Sequence, residues 1–235
     1  MFKLLSTANP KIQKGTAKGY LSFILHLAPS DVSGAGNTCP KASPACRAAC
    51  LNTAGRGGMF KRGETTNTIQ KARIRKTVQF FFDREQFFKD LTNDIDKAIN
   101  YARKQGLKPV FRLNGTSDLA WEKYEVNGTG LNIFQIFPEV QFYDYTKILG
   151  RKVGHIPNYH LTFSRAENNA SDVKKALAQG MNVATVYDEI PAGMYSADED
   201  DLRFLDPKVG TIGLKAKGRA KKDLSGFVIR LKELA

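Results

Sequence analysis

The sequence has few cysteines and histidines. It has only three cysteines and three histidines among 235 residues. Three cysteines cannot all pair within one chain, so a disulfide framework like that of small secreted domains is excluded. The histidines, His26, His155 and His160, are too scattered to form a recognisable catalytic triad, and we expect each to be an ordinary packed or surface residue.

Several familiar sequence signatures are also missing. The chain contains no P-loop, no G-x-G-x-x-G, no G-x-S-x-G and no H-E-x-x-H motif. No apolar run reaches the roughly 18–20 residues that a membrane helix needs. The stretch MFKLLSTANPKIQKG at the start lacks the long apolar region of a secretory signal. We therefore expect a cytoplasmic protein, in which cysteines stay reduced and clustered cysteines indicate metal binding or catalysis.

The 23 acidic residues are outnumbered by 36 lysines and arginines, which leaves a formal net charge of +13 and a pI near 9.6. Such a charge attracts polyanions and anionic ligands. Basic residues are concentrated in Lys71–Lys76 and Lys215–Lys222. Nucleic acid is therefore one predicted partner, while a basic surface with no specific ligand stays open as the alternative.

Strand-like and helix-like segments alternate along the chain, which indicates a parallel sheet. Six predicted strands favour an α/β fold built as a partial (β/α)6 TIM-like barrel, with a doubly wound sheet as the alternative. We expect one domain over 1–235, with a cysteine loop at 29–58 inserted after the first strand. The predicted strands are 20–28, 109–113, 140–143, 159–163, 182–187 and 211–214, and the clearest predicted helices are 65–82, 84–105 and 171–179.

The three cysteines lie within a single loop, as Cys39, Cys46 and Cys50. A spacing of four residues puts the last two on one face of a helical turn, and the first can fold back toward that face. Thiolates select zinc, copper(I) or iron–sulfur clusters. A structural zinc ion needs four protein ligands, and no second ligand pair is present. The pattern thus favours a [4Fe–4S] cluster with one open iron, leaving a zinc site or three buried structural cysteines as alternatives.

Polar side chains follow five of the predicted strands. In parallel α/β folds, ligands bind at the carboxyl ends of strands, where these side chains would meet. No catalytic residue can be singled out among them. We predict a ligand pocket formed by Arg112, Asn114, Ser117, Asp118, Asp144, Ser164, Arg165, Asn168, Tyr187, Asp188, Lys215 and Lys217.

The segment TCPKASPACRAACLNTAGRG around the cysteines resembles the phage protein family called gene product 88. The stretches FRLNGTSDLAWEKY and GLKAKGRAKKD are compatible with the same family. The resemblance implies a phage or prophage origin, a location in the host cell cytoplasm, and an iron–sulfur site. Carried over by position, it implies that Cys39, Cys46 and Cys50 are the cluster ligands.

The predicted layout is also similar to that of radical S-adenosylmethionine enzymes, which place a three-cysteine cluster loop after the first strand of a six-stranded partial barrel. Their usual spacing is C-x₃-C-x₂-C, whereas this chain has C-x₆-C-x₃-C and no clear Gly-Gly-Glu segment. This resemblance implies a redox or radical-type enzyme with S-adenosylmethionine as a candidate cosubstrate. A nucleic-acid-binding phage protein with a structural or regulatory cluster, and a zinc-stabilised binding module, are the competing functions.

Overall fold

A computed structural model describes residues 2–7 and 14–233 of the chain. The strands are β1 (Leu5–Ser6), β2 (Tyr20–Leu25), β3 (Lys108–Arg112), β4 (Gln141–Thr146), β5 (Tyr159–Ser164), β6 (Val183–Tyr187), β7 (Thr211–Lys215) and β8 (Val228–Ile229). The helices are α1 (Pro44–Ala48), α2 (Thr68–Phe82), α3 (Arg84–Lys104), α4 (Ile133–Ile136) and α5 (Ala170–Ala178). None of the described helices has the length and apolar content that crossing a membrane requires.

The eight strands form one mostly parallel sheet in which β1 to β7 lie side by side in chain order. Strands β2 to β7 are parallel, β1 is antiparallel to β2, and β8 pairs with β6. Within the described ranges no pairing joins β1 to β7, so the sheet does not close. The predicted α/β fold with a parallel sheet is confirmed. The strand order has no reversal point, which excludes the doubly wound alternative.

Helices α2 to α5 pack on one face of this sheet. Strand register places Phe23, Phe111 and Phe142 side by side on β2, β3 and β4, where they join the main apolar core. Helix α3 covers them because its apolar residues recur at helical spacing along one face. Its start is fixed by Asp83, whose side chain accepts the N–H of Gln86. On β5 and β6 the same face of the sheet packs against α5.

The opposite face is covered by the connection between β6 and β7, which contributes both apolar residues, such as Leu202 and Phe204, and polar contacts. The Arg112 guanidinium lies 3.0 Å from the Asp201 carboxylate and 4.7 Å from the centre of the Tyr145 ring. The Tyr143 hydroxyl donates to the same Asp201 carboxylate. Because Asp201 lies 89 residues from Arg112 and 58 from Tyr143 in the sequence, local sequence patterns gave no sign of this cover.

Candidate functional site

The loop that follows β2 carries Cys39 and is tied to the sheet by buried hydrogen bonds. The fully buried Thr38 donates its hydroxyl to the carbonyl of Ala28 at 2.7 Å and its backbone N–H to the carbonyl of Ser30 at 2.9 Å. The Cys39 thiol donates to the carbonyl of Thr116, in the loop after β3, at 3.7 Å. The first cysteine is therefore held between the carboxyl ends of two neighbouring strands.

Helix α1 carries Cys46, and a side chain from another strand end holds its first turn. Ser43 caps the helix by accepting the N–H of Cys46, and Pro44 occupies the first helical position, which suits a residue without an N–H. Glu167, from the loop after β5, accepts the Ser43 hydroxyl at 2.7 Å and the Ala45 N–H at 3.1 Å. A carboxylate at this end also interacts favourably with the exposed N–H groups.

Cys50 follows α1 directly and caps a short 3-10 helix, Leu51–Thr53. Its sulfur accepts the N–H of Asn52 at 3.5 Å. The carbonyl and the side-chain oxygen of Asn52 in turn accept from the Arg73 guanidinium at 3.1 and 2.7 Å. Arg73 thus brings a positive charge from α2 to the vicinity of Cys50, and its Nε atom is buried without a hydrogen-bond partner among the described residues.

All three sulfur-bearing side chains line one small cavity of about 90 Å³, here called the cysteine cavity. Ser30, which also lines it, is only 4% exposed and has φ +53°, a left-handed conformation that is uncommon outside glycine. Its hydroxyl has no hydrogen-bond partner within the described part of the chain. The complete lining consists of Pro29, Ser30, Asp31, Val32, Cys39, Ala42, Cys46, Arg47 and Cys50.

Burial keeps two of these thiols protonated. It raises the pKa of the Cys39 thiol, and it raises the pKa of Cys50 to about 11, against the opposing effects of the Asn52 N–H and the Arg73 charge. A metal must therefore displace protons here, so metal binding will release them.

The cysteine cavity does not contain a ready-made site for a single ion. Among the residues that the structure describes, no three Cys, His, Asp or Glu side chains are grouped so that they could hold one metal ion. None of the histidines lines the cavity, and its one carboxylate, Asp31, lies 3.1 Å from the Arg47 guanidinium.

Four of the predicted pocket residues come together behind the cysteine loop. The buried Asn114 side chain accepts from the Ser117 hydroxyl at 2.9 Å and from the Trp121 indole at 3.1 Å, and its backbone N–H donates to Asp144 at 2.7 Å. Asp118 donates its backbone N–H to the carbonyl of Thr38 at 2.8 Å. This network supports the loop that contacts Cys39.

The other eight predicted pocket residues are not gathered around the cysteines. Arg112 lies on the opposite face of the sheet with Asp201, and Arg165 donates to the carbonyls of Gly226 and Phe227. For all twelve predicted pocket residues, contact with a ligand stays a prediction. The remaining six are Ser164, Asn168, Tyr187, Asp188, Lys215 and Lys217, and none of them lines the cysteine cavity.

Replacing Glu167 by alanine should loosen α1. The Ser43 hydroxyl and the Ala45 N–H would each lose a charged acceptor, which we expect to lower the free energy of unfolding by about 2 kcal/mol. Urea unfolding measures this loss, and hydrogen exchange at the Ala45 amide locates it. Glu139→Ala, which removes an exposed carboxylate before β4, is the control. Equal stability of the two variants would contradict the anchoring role of Glu167.

Comparison with known proteins identifies a family. A family model described as Gene product 88 matches residues 3–231, which include the cysteine loop and every strand. No curated protein and no solved structure matches the chain.

Proposed function

The chain belongs to the gene product 88 family, a phage protein family, and we propose that it binds a [4Fe–4S] cluster through Cys39, Cys46 and Cys50. One observation carries the proposal: three thiols from a loop, a helix and the turn after that helix line the same cavity. That lining contains no histidine and no fourth cysteine. We infer that one iron would be left without a Cys or His ligand and open to a small ligand.

The lining of the cysteine cavity supports a cluster over a zinc ion. A structural zinc ion takes four protein ligands. The lining offers three thiols, no histidine, and one carboxylate that is paired with Arg47. A cluster places its thiolates on different irons, so its ligands need only face a common cavity.

The residues around the cavity would each contribute to holding an anionic group. Ser30 has a free hydroxyl that could donate to a sulfide or a thiolate, and such hydrogen bonds tune cluster potentials. The charge of Arg73 would offset part of the negative charge of three thiolates, and Glu167 would fix the helix that carries Cys46. When bound, a cluster with an open iron supplies electron transfer and a coordination position for a ligand.

We further propose that the protein is a redox or radical-type enzyme of unknown substrate. Six parallel strands in chain order, with the cysteine loop after the first of them, are the arrangement expected of a partial (β/α)6 barrel. The cysteine cavity is smaller than the roughly 300–1,000 Å³ of typical small-molecule sites. S-adenosylmethionine would therefore have to lie largely outside it.

Electron paramagnetic resonance of the reduced, anaerobically purified protein tests the open iron. We expect a cluster signal that changes when S-adenosylmethionine is added or, if that molecule does not bind, when cyanide is added as a small iron ligand. A change with cyanide alone would remove S-adenosylmethionine as cosubstrate and keep the open iron. A cluster signal that neither compound alters would contradict the open coordination position.

Nucleic-acid binding is the second candidate function, and the structure favours one of the two basic segments for it. In Lys71–Lys76, Arg73 bonds to Asn52 and Lys76 donates to the carbonyl of Leu4, so both are engaged inside the fold. By contrast, the side chains of the basic residues in Lys215–Lys222 are all exposed, although Lys217 is paired with Asp198.

A further inference from the structure

A second and larger cavity, here called the basic cavity, lies between the end of α1 and the chain after β7. Its volume is about 380 Å³, which falls within the range of small-molecule sites. Its lining consists of Ala48, Ala49, Arg219, Lys222, Asp223, Leu224 and Ser225. Because Ala48 and Ala49 stand between two of the cysteines, the basic cavity and the cysteine cavity share the same short stretch of chain.

One wall of the basic cavity is apolar. The exposed Ala48 and the buried Ala49 line it, and Leu224 is 91% exposed at the edge. An apolar side chain left this exposed gains from any ligand surface that covers it, since each Å² of apolar surface removed from water contributes about 25 cal/mol. A flat ring such as a nucleobase offers a surface of this kind.

The other wall carries cations that are free to bind a ligand. Within the described residues, the side chains of Arg219 and Lys222 have neither a hydrogen bond nor an ion pair. The lining carboxylate, Asp223, is already engaged, since it accepts the Ser225 hydroxyl at 2.6 Å and the Val228 N–H at 3.0 Å. Two cations and one carboxylate leave the lining positively charged. A guanidinium paired with an ammonium suits a phosphate group.

We propose that the basic cavity binds a nucleoside phosphate, either as a free nucleotide or as a unit of single-stranded nucleic acid. The base would cover Ala48, Ala49 and Leu224, and the phosphate would lie against Arg219 and Lys222. Both ligand sources share this chemistry. The apolar wall distinguishes this site from the rest of the basic surface, which would attract phosphate by charge alone. The proposal does not depend on a bound cluster.

Binding of adenosine 5′-monophosphate to the full chain, prepared anaerobically and followed by calorimetry, tests the proposal. We expect saturable binding, with adenosine and inorganic phosphate each at least roughly tenfold weaker, because each lacks half of the contacts. The double variant Arg219→Gln/Lys222→Gln should weaken binding at least roughly tenfold, as expected for losing charged contacts to phosphate. Lys97→Gln/Arg103→Gln, which removes one exposed lysine and one exposed arginine from α3, should leave binding nearly unchanged.

A single-stranded oligonucleotide, measured with the same two double variants, distinguishes the ligand sources. If the oligonucleotide binds and the cavity variant weakens it more than the α3 variant does, nucleic acid is a source of the ligand. If only the mononucleotide shows this difference, the ligand is a free nucleotide. Ala48→Phe should fill the basic cavity without changing its charge, and it should weaken whichever probe binds. The proposal is overturned if neither probe distinguishes the two double variants, since binding would then follow overall charge alone.

Discussion

Replacing any one of Cys39, Cys46 and Cys50 by alanine is expected to abolish or severely reduce the iron content of the protein. Each thiol supplies one of three protein ligands, and the chain has no other cysteine that could take its place. Two remaining thiolates would hold a cluster with two exposed irons, which is readily lost. Iron and sulfide assays on anaerobically purified and reconstituted protein measure the effect.

Lys41→Ala is the matched control for the cysteine variants, because Lys41 is an exposed residue of the same loop. We expect it to retain the iron and sulfide content of the unmodified protein. Anaerobic handling matters, since zinc can replace a lost cluster. A cysteine variant that keeps full iron content would contradict the assigned ligand set, and bound zinc without iron in all preparations would favour the zinc-stabilised module.

A buried carboxylate beneath the cysteine loop is expected to make stability fall as pH rises. Burial raises the pKa of Asp144 to about 7, although Asn114 and Tyr159 donate hydrogen bonds to it. The folded protein therefore keeps a proton that the unfolded chain, with an aspartate pKa near 3.8, has already lost. Where the folded state binds more protons, the free energy of unfolding decreases with rising pH. This contribution is fully present below about pH 4 and is lost by about pH 7.

Comparison with Asp144→Asn isolates this effect, because asparagine cannot ionise and other groups titrate alike in both proteins. The stability of the unmodified protein relative to this variant should decrease between pH 4 and pH 7 by an amount on the order of 3 kcal/mol. Urea unfolding across that range measures the difference. Asp96→Asn removes an exposed carboxylate from α3 and should produce no comparable trend. Parallel stability curves for the unmodified protein and Asp144→Asn would show that Asp144 is charged in the folded state.

The regular elements of the sheet could be predicted from the sequence, because their signals are local. Apolar runs bounded by turn residues located the six parallel strands to within three residues at each end. The Asp83 cap and the spacing of apolar residues likewise located α3. The two-residue strands β1 and β8 and the single turn α4 were missed, because such short elements carry no recognisable period.

The surroundings of the candidate site were less predictable, because they depend on contacts between residues far apart in the chain. In the sequence, Glu167 is only one more polar residue after a strand. In the structure it accepts hydrogen bonds at the start of α1 from Ser43, which is 124 positions away, and from Ala45. Arg73 belongs to a basic segment, and nothing local indicates that it turns inward to Asn52. Asn114 and Asp144 are predicted ligand contacts, and the sequence gave no sign of the hydrogen bond that joins them beneath the loop.

Mössbauer spectroscopy of iron-labelled protein, reconstituted without oxygen, tests the proposed cofactor site most directly. Three thiolates and an open position predict about four irons and four sulfides per chain, with one iron distinguishable from the other three. A preparation that takes up no cluster iron, or one in which all irons are equivalent and none responds to an added ligand, would contradict the account.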